Sequence, residues 1–258
     1  MSRLALVRRP SSRLTEGIVT HIEREPLDTD LALRQWHDYV DVLHAHGWET
    51  IEVALADDCP DSVFIEDTMV VYKDVAVIAR PGADERKPEV TAAHEAVAAL
   101  GYRCIPIEAP GTLDGGDILK VDSTIYVGRS LRTNDEGIRQ LAAAFEPLGA
   151  TVVTIPLSKV LHLKSAVTAL PDGTIIGWED AVDDVAAFPS FVAMPEENGA
   201  HVVLLSDTEL LIQADAVRSI ELLRERGYTP VPVDIGEFIK LEGCVTCLSV
   251  RLRDVPCA

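Results

Sequence analysis

Cysteine is scarce in this sequence: five residues in 258, at positions 59, 104, 244, 247 and 257. An odd, sparse set argues against a disulfide scaffold and makes reduced thiols the expectation. No window approaches eighteen uninterrupted apolar residues, so no membrane-spanning helix is expected. The first ten residues carry basic side chains but no apolar stretch with a small-residue cleavage site, which points away from a secretory leader and towards the cytoplasm. Positive charge is scarce too, with 23 Lys and Arg against 42 Asp and Glu and a formal charge of −19. Nucleic acid is a poor partner for such a surface, because that binding rests on cations that neutralise phosphates. A small cationic molecule would be drawn to it, although acidic charge ordinarily serves solubility. The sequence leaves a homodimer open.

What the chain does have is a repeat, and 47% hydrophobic residues with which to build a core. Four segments place a glycine between an amphipathic run and a β-rich stretch: "HGWETIEV", "LGYRCIPI", "LGATVVTI" and "RGYTPVPV", at Gly47, Gly101, Gly149 and Gly227. Each glycine suits the left-handed position that closes a helix. The runs ahead of three of them read as helices over 30–46, 88–100 and 134–148. Their apolar stripes are Trp36, Tyr39, Val40 and Leu43; Val90, Ala93, Val97 and Leu100; and Ile138, Leu141, Phe145 and Leu148. Pro88 suits a first turn and Asn134 a cap. Hairpins lie between these units, turning at Lys73-Asp74, Asp122-Ser123, Asp172-Gly173 and Ser206-Asp207. A weaker unit, "DAVDDVAAF" then "SFVAMP", fills the longer interval between Gly149 and Gly227. A last hairpin is expected at 245–252, with strand "LALVRR" and helix 30–46 completing its unit. Hairpin, helix, strand, about five times over, suggests a closed radial array in which equivalent strand ends meet near one axis.

Those ends carry polar groups in apolar settings: Asp61, Glu66 and Asp67 in "PDSVFIED", Asp114 and Asp117 in "LDGGD", His162 in "VLHLKS", and Cys247 in "LEGCVTCLSV". Each has a plain alternative. A lone cysteine among Val and Leu is ordinarily an inert core residue, and "DGGD" is ordinarily a turn. A converging cysteine, histidine and set of carboxylates would instead suit nucleophilic attack on a cationic electrophile. Carboxylates can also orient the histidine and pair with a guanidinium.

The blocks "PDSVFIEDTMVV", "VIARPGADERKPE", "APGTLDGGDIL", "YVGRSLRTNDEG", "VLHLKSAVT" and "EGCVTCLSV" resemble the dimethylarginine dimethylaminohydrolases of the pentein, or guanidine-modifying, superfamily. They run in family order from about Arg8 to Leu252. The resemblance implies a five-bladed pseudosymmetric α/β propeller of ββαβ units, one catalytic domain over 1–258. It implies hydrolysis of Nω-methylated arginine to citrulline and an amine through a covalent thiouronium intermediate. It assigns Cys247 as nucleophile, His162 as the catalytic histidine and Asp114 as its supporting acid. Asp67 with Glu66 would bind the guanidinium, and Arg86 with Arg132 the α-carboxylate. Asp61, with the backbone carbonyls of Ile18 and Leu241, would hold the α-amine. Ile18 falls in "SSRLTEGIV", which resembles the family's mobile flap. No metal or organic cofactor is implied.

Two rivals differ in chemistry. Arginine deiminases and amidinotransferases share the Cys/His pair, but typically place an acid two residues after the histidine. Here that position is Lys164, which is read as leaving room for methyl groups. A metal- or redox-responsive module on Cys244-x-x-Cys247 is the non-enzymatic rival. It lacks a second C-x-x-C and sits in a terminal strand.

Overall fold

The computed structural model describes residues 3–253 and 255–256, so Cys257 lies outside it. The chain opens with β1 (Leu4–Val7), then α1 (Thr29–Ala45) and β2 (Glu49–Glu52). Two full units follow. The first holds β3 (Met69–Tyr72), β4 (Val75–Ile78), α2 (Val90–Ala99) and β5 (Arg103–Pro106); the second holds β6 (Ile118–Val121), β7 (Thr124–Arg129), α3 (Asp135–Phe145) and β8 (Thr151–Pro156). Next come β9 (Val167–Ala169), β10 (Ile175–Gly177) and β11 (Phe191–Ala193). The last full unit is β12 (Val202–Leu204), β13 (Glu209–Gln213), α4 (Val217–Glu225) and β14 (Thr229–Val233), followed by the single turn α5 (Gly236–Ile239) and β15 (Val250–Leu252).

These strands form five three-stranded sheets. In each, a middle strand runs antiparallel to one neighbour and parallel to the other. The fold is a five-bladed α/β propeller. Middle strands such as β4 (VAVI) and β1 (LALV) are buried at every position, as strands covered on both faces must be. The first strands β3, β6, β9, β12 and β15 line one axial cavity of about 470 Å³.

Local signals explain the units. Asp28 accepts the Leu31 N–H and Asn134 the Gly137 N–H, so both helices begin on side-chain caps. Gly47, Gly101, Gly149 and Gly227 all take positive φ, between 77° and 89°, where a side chain would be strained. Pro88 sits in the 3₁₀ turn Asp84–Glu89 ahead of α2 rather than in the helix itself. The weak unit is a full blade, but it crosses over through two 3₁₀ turns, Glu179–Ala181 and Val185–Ala187, where the other blades carry an α-helix.

The expected hairpin at 245–252 is corrected. Only Val250–Leu252 is strand, and its antiparallel partner is β1, with Leu6 opposite Val250 and Leu4 opposite Leu252. The fully apolar β1 needs neighbours on both edges, and the two ends of the chain supply them. Leu4 and Leu6 then pack with Ile65, Met69, Ala93, Val97 and Val250, joining the closing blade to the next. No helix among the described residues is long and apolar enough to cross a membrane.

Leu6 is fully buried at this closure. Leu6→Ala removes most of a core side chain and should lower unfolding free energy by about 2–5 kcal/mol. The urea midpoint should fall with the slope unchanged.

Candidate active site

A short turn precedes the first strand of every blade, and the chemistry sits on these turns. Glu66 and Asp67 lie in the 3₁₀ turn Ile65–Thr68 ahead of β3, and Asp117 in Gly115–Asp117 ahead of β6, with Asp114 at its entry. His162 opens Leu163–Ser165 ahead of β9. His201 follows Glu197–Ala200 and leads into β12. Cys247 precedes β15, with its N–H on the Cys244 carbonyl at 3.0 Å. The turns are bonded to one another around the axis. The Glu66 N–H donates to the Cys247 carbonyl (3.2 Å), the Gly116 N–H to Asp67 Oδ1 (2.8 Å), and the Leu163 N–H to Asp117 Oδ1 (3.0 Å). His201 Nε2 lies 2.9 Å from the Ser165 carbonyl. The two glycines of "DGGD" allow this approach. A Cβ on Gly115 would sit 2.0 Å from the Glu66 carbonyl oxygen, and one on Gly116 would sit 2.6 Å from His162 Nδ1.

One pocket is lined by Ile18, Asp61, Phe64, Asp67, Arg86, Arg132, Leu161, His162, Leu241, Glu242, Gly243 and Cys247. It therefore collects eight of the ten residues expected from the sequence, leaving out Asp114 and Glu66. Asp114 stands directly behind the histidine, its Oδ2 3.0 Å from Nε2. Asp67 Oδ1 lies 3.8 Å from the other ring nitrogen. Arg86 donates to Asp67 Oδ2 at 2.6 Å and to both oxygens of Glu89, and Arg132 Nη1 is 3.6 Å from Asp114 Oδ2. Asp67, Asp114 and His162 bring donor atoms within 4.8 Å of one another, a spacing a metal ion could use. Their partners here are the two arginines, one another, and the N–H groups of Gly82 and Gly116.

Burial alone would push the His162 imidazole down. The charge of Asp67, the hydrogen bond to Asp114 and the charge of Asp117 outweigh it and bring the group up to about 9. Burial also opposes ionisation of Asp67, but His162 and Arg86 hold it well below the usual carboxylate range. Burial pushes Asp117 up to about 6 despite His162 and its hydrogen bonds. The Cys247 thiol is pushed up by its hydrogen bond with Cys244, by burial, and by the charges of Cys244, Glu66 and Asp67.

The structure departs from the expected roles at three side chains. Glu66, read as a guanidinium ligand, faces the axial cavity instead. Lys164 Nζ (2.6 Å), Arg251 Nη2 (2.8 Å) and the Thr246 hydroxyl (2.8 Å) already occupy its carboxylate. Successive side chains on a 3₁₀ turn diverge by about 120°, and here Asp67 enters the pocket while Glu66 lines the axial cavity. Lys164, read as vacating space for methyl groups, extends into that cavity too. The apolar pocket wall comes from Phe64, Leu161, Leu241 and Ile18. Arg86, read as half of a carboxylate grip, has its donors on Asp67, Glu89 and the carbonyls of Asp61 and Phe64. It reaches a ligand only by giving up a partner. Arg132 Nη1, by contrast, is buried without a hydrogen-bond partner.

Glu242 was not anticipated. It takes the left-handed conformation (φ 61°), and its carboxylate accepts the N–H groups of Thr20 and His21 at 2.6 and 2.8 Å. Asp61 accepts the Ile18 N–H at 3.1 Å. Two carboxylates thus fasten residues 18–21 across the pocket mouth. Position in the repeat would have flagged His201, which occupies the equivalent turn of the fourth full unit; Glu242 offers no such signal.

A five-bladed α/β propeller with a cysteine and an acid-flanked histidine on its axial turns defines a guanidine-modifying, pentein-type protein. No protein-family model matches the chain. A dimethylarginine dimethylaminohydrolase of Streptomyces coelicolor is 63% identical over 254 residues, 98% of each chain. That of Pseudomonas aeruginosa is 32% identical over 97% of this chain and 100% of its own. A structure of the Pseudomonas aeruginosa enzyme, a cysteine-to-serine mutant complexed with citrulline, superposes with a TM-score of 0.91 at 31% identity, covering 98% of this chain and 100% of that one. The chain belongs to the dimethylarginine dimethylaminohydrolase family.

The histidine offers a direct check. Its value of about 9 lies above the ordinary 6.5, so its contribution to stability is complete below about pH 6.5 and disappears as pH rises through about 9. The His162 Hε1 resonance should titrate near 9. His162→Gln should cost more unfolding free energy at pH 6 than at pH 10.

Proposed function

We propose that this chain hydrolyses Nω-methylated arginines, releasing citrulline and methylamine or dimethylamine. The observation that carries the reading is the convergence, in one pocket, of a thiol, an imidazolium and buried carboxylates, in a chain of this family. The substrate lies with its guanidinium against Asp67, its α-amine at Asp61 and the carbonyls of Ile18 and Leu241, and its α-carboxylate at Arg132. Arg86 holds Asp67 ionised from behind.

Cys247 rests as a thiol, because its surroundings are acidic and dry. A bound guanidinium supplies the missing positive charge and favours the thiolate. The thiolate attacks the central guanidinium carbon. His162, protonated at neutral pH, gives its proton to the departing amine as the carbon–nitrogen bond breaks. A cationic thiouronium remains on Cys247. Neutral His162 then takes a proton from water, the hydroxide adds to the same carbon, and collapse of the tetrahedral species expels the thiolate and frees citrulline. Asp114 acts as a positioning residue, fixing the ring and favouring its protonated form. The chemistry uses the chain's own side chains and a small cationic substrate. It suits a reducing cytoplasmic compartment, where Cys247 stays free.

Citrulline release from arginine, monomethylarginine and asymmetric dimethylarginine, measured side by side, tests the reading. The methylated substrates should turn over faster, and Cys247→Ser should lose roughly 10³-fold or more in turnover, because a nucleophile acts in the transition state. Near-normal turnover in that variant would remove the proposal. Turnover should also decline as pH rises through about 9, where His162 loses the proton the leaving amine needs. Asp61→Asn should raise KM roughly tenfold or more with a smaller change in kcat, as expected of a group that binds substrate and transition state alike.

A further inference from the structure

We propose that Cys244 and Cys247 form a reversible disulfide, making this C-x-x-C turn an oxidative modification site that responds to hydroperoxides and silences the pocket. The effect on activity rests on the reading of Cys247 as nucleophile; the disulfide rests on geometry alone. The two Sγ atoms are 3.4 Å apart, already in van der Waals contact. The Cys247 N–H donates to the Cys244 carbonyl at 3.0 Å, which closes a four-residue turn. Such a turn holds its first and last Cα atoms within about 7 Å, and disulfides span about 4.4–6.8 Å between Cα atoms. The sulfurs must close to about 2.05 Å, a movement of side chains on a turn whose backbone already brings them together. The Cys244 N–H points at Cys247 Sγ (3.4 Å), so the two side chains lie on the same side of the turn.

Access and reactivity point the same way. Cys247 lines the pocket that admits substrate, so a small hydroperoxide reaches it by the same route. The hydrogen bond from one thiol to the other lowers Cys244 to about 5, which leaves a single proton shared across the pair. Cys244, held as the thiolate, takes the Cys247 proton across the 3.4 Å contact, and the Cys247 thiolate attacks one peroxide oxygen at the pocket. A sulfur–oxygen bond forms, the oxygen–oxygen bond breaks, and hydroxide (or alkoxide) leaves and takes up a proton. The other sulfur, giving up its proton, then attacks the sulfenic sulfur. The sulfur–sulfur bond forms, and the hydroxyl leaves with that proton as water. In all, two thiols lose two hydrogens to one hydroperoxide. A dithiol reverses the change by exchange. Without Cys244 the sulfenic acid has no neighbour to trap it, and further peroxide carries it to the irreversible sulfinic acid.

The experiment exposes the full chain to hydrogen peroxide, blocks free thiols with iodoacetamide and digests with trypsin. Cleavage after Lys240 and Arg251 gives the peptide Leu241–Arg251, which contains both cysteines and no other. That peptide should be two hydrogens lighter and unalkylated, and doubly alkylated after dithiothreitol. Citrulline release should fall and recover in parallel. Cys244→Ser, scored against its own untreated activity, should gain two oxygens on Cys247 and stay inactive after dithiothreitol. Full alkylation of the peroxide-treated wild-type peptide, or loss of activity with a lone oxygen adduct, overturns the proposal. That wild-type measurement decides the matter even if the variant does not fold. A disulfide that forms while citrulline release continues unchanged overturns the nucleophile assignment and leaves the disulfide standing.

Discussion

The ring of turns at the propeller axis is the constraint on which the rest depends. Each first strand is innermost in its blade, so the turn ahead of it is delivered to the axis whatever its distance in sequence. Successive turns are then bonded directly, from Cys247 to Glu66, Asp67 to Gly116, Asp117 to Leu163, and Ser165 to His201. These contacts also make the buried charge tolerable. Asp67, Asp114, Asp117, Arg86, Glu89, Arg132 and His162 are all buried. A buried ion survives only with partners that replace its water. Glu89 pairs with Arg86 on its own turn, but the others find partners on different turns or in the segment packed against them, so the polar network is completed only in the closed ring.

The same network sets the chemistry. Acids on both ring nitrogens make His162 a cation at rest. The hydrogen bond with Cys244, burial, and the charges of Cys244, Glu66 and Asp67 discourage a thiolate at Cys247. On the proposed mechanism such a pocket is not yet reactive without a cation: the substrate would contribute the charge that activates Cys247. The flap reinforces the condition. Its residues 18–21 are fastened to Asp61 and Glu242, and on the proposed binding mode Asp61 is also the group the substrate amine would claim. An entering amine competes with a backbone N–H for one carboxylate, which couples occupancy to the position of residues 18–21.

The architecture was largely legible in the sequence, because each repeat ends its helix on a glycine whose left-handed conformation is local chemistry. Three of the four hairpin turns were legible for the same reason, with Lys73, Asp122 and Gly173 all at positive φ; the fourth rests on the Ser206 hydroxyl, which accepts the Thr208 and Glu209 N–H groups. The helix-free crossover of the blade containing β10 was weaker in pattern, since "DAVDDVAAF" lacks a helical stripe and folds as two 3₁₀ turns. The pairing of β1 with β15 joins residues almost a chain length apart, and no local signal sets that register. Within the site, residue types and repeat position identified the turns, but not which way each side chain faces. Glu66 and Asp67 are adjacent carboxylates and both buried, and only the closed ring sends one to the pocket and the other to the axial cavity.

Glu66 has a consequence for the pocket it does not enter. It belongs to the blade of β3, yet it holds Thr246, next to Cys247 in the closing blade, and Lys164, two residues after His162 in the blade of β9. Those two blades are not neighbours around the ring, so this carboxylate ties the nucleophile's turn to the histidine's turn across the axis. A neutral side chain could not do the same: two cations, Lys164 and Arg251, converge there, and without a charge between them they would repel across a low-dielectric gap. Glu66 therefore braces the turns of Cys247 and His162 from behind while Asp67, one residue on, faces the pocket. The "ED" pair divides a single negative step in the sequence between holding the site and using it.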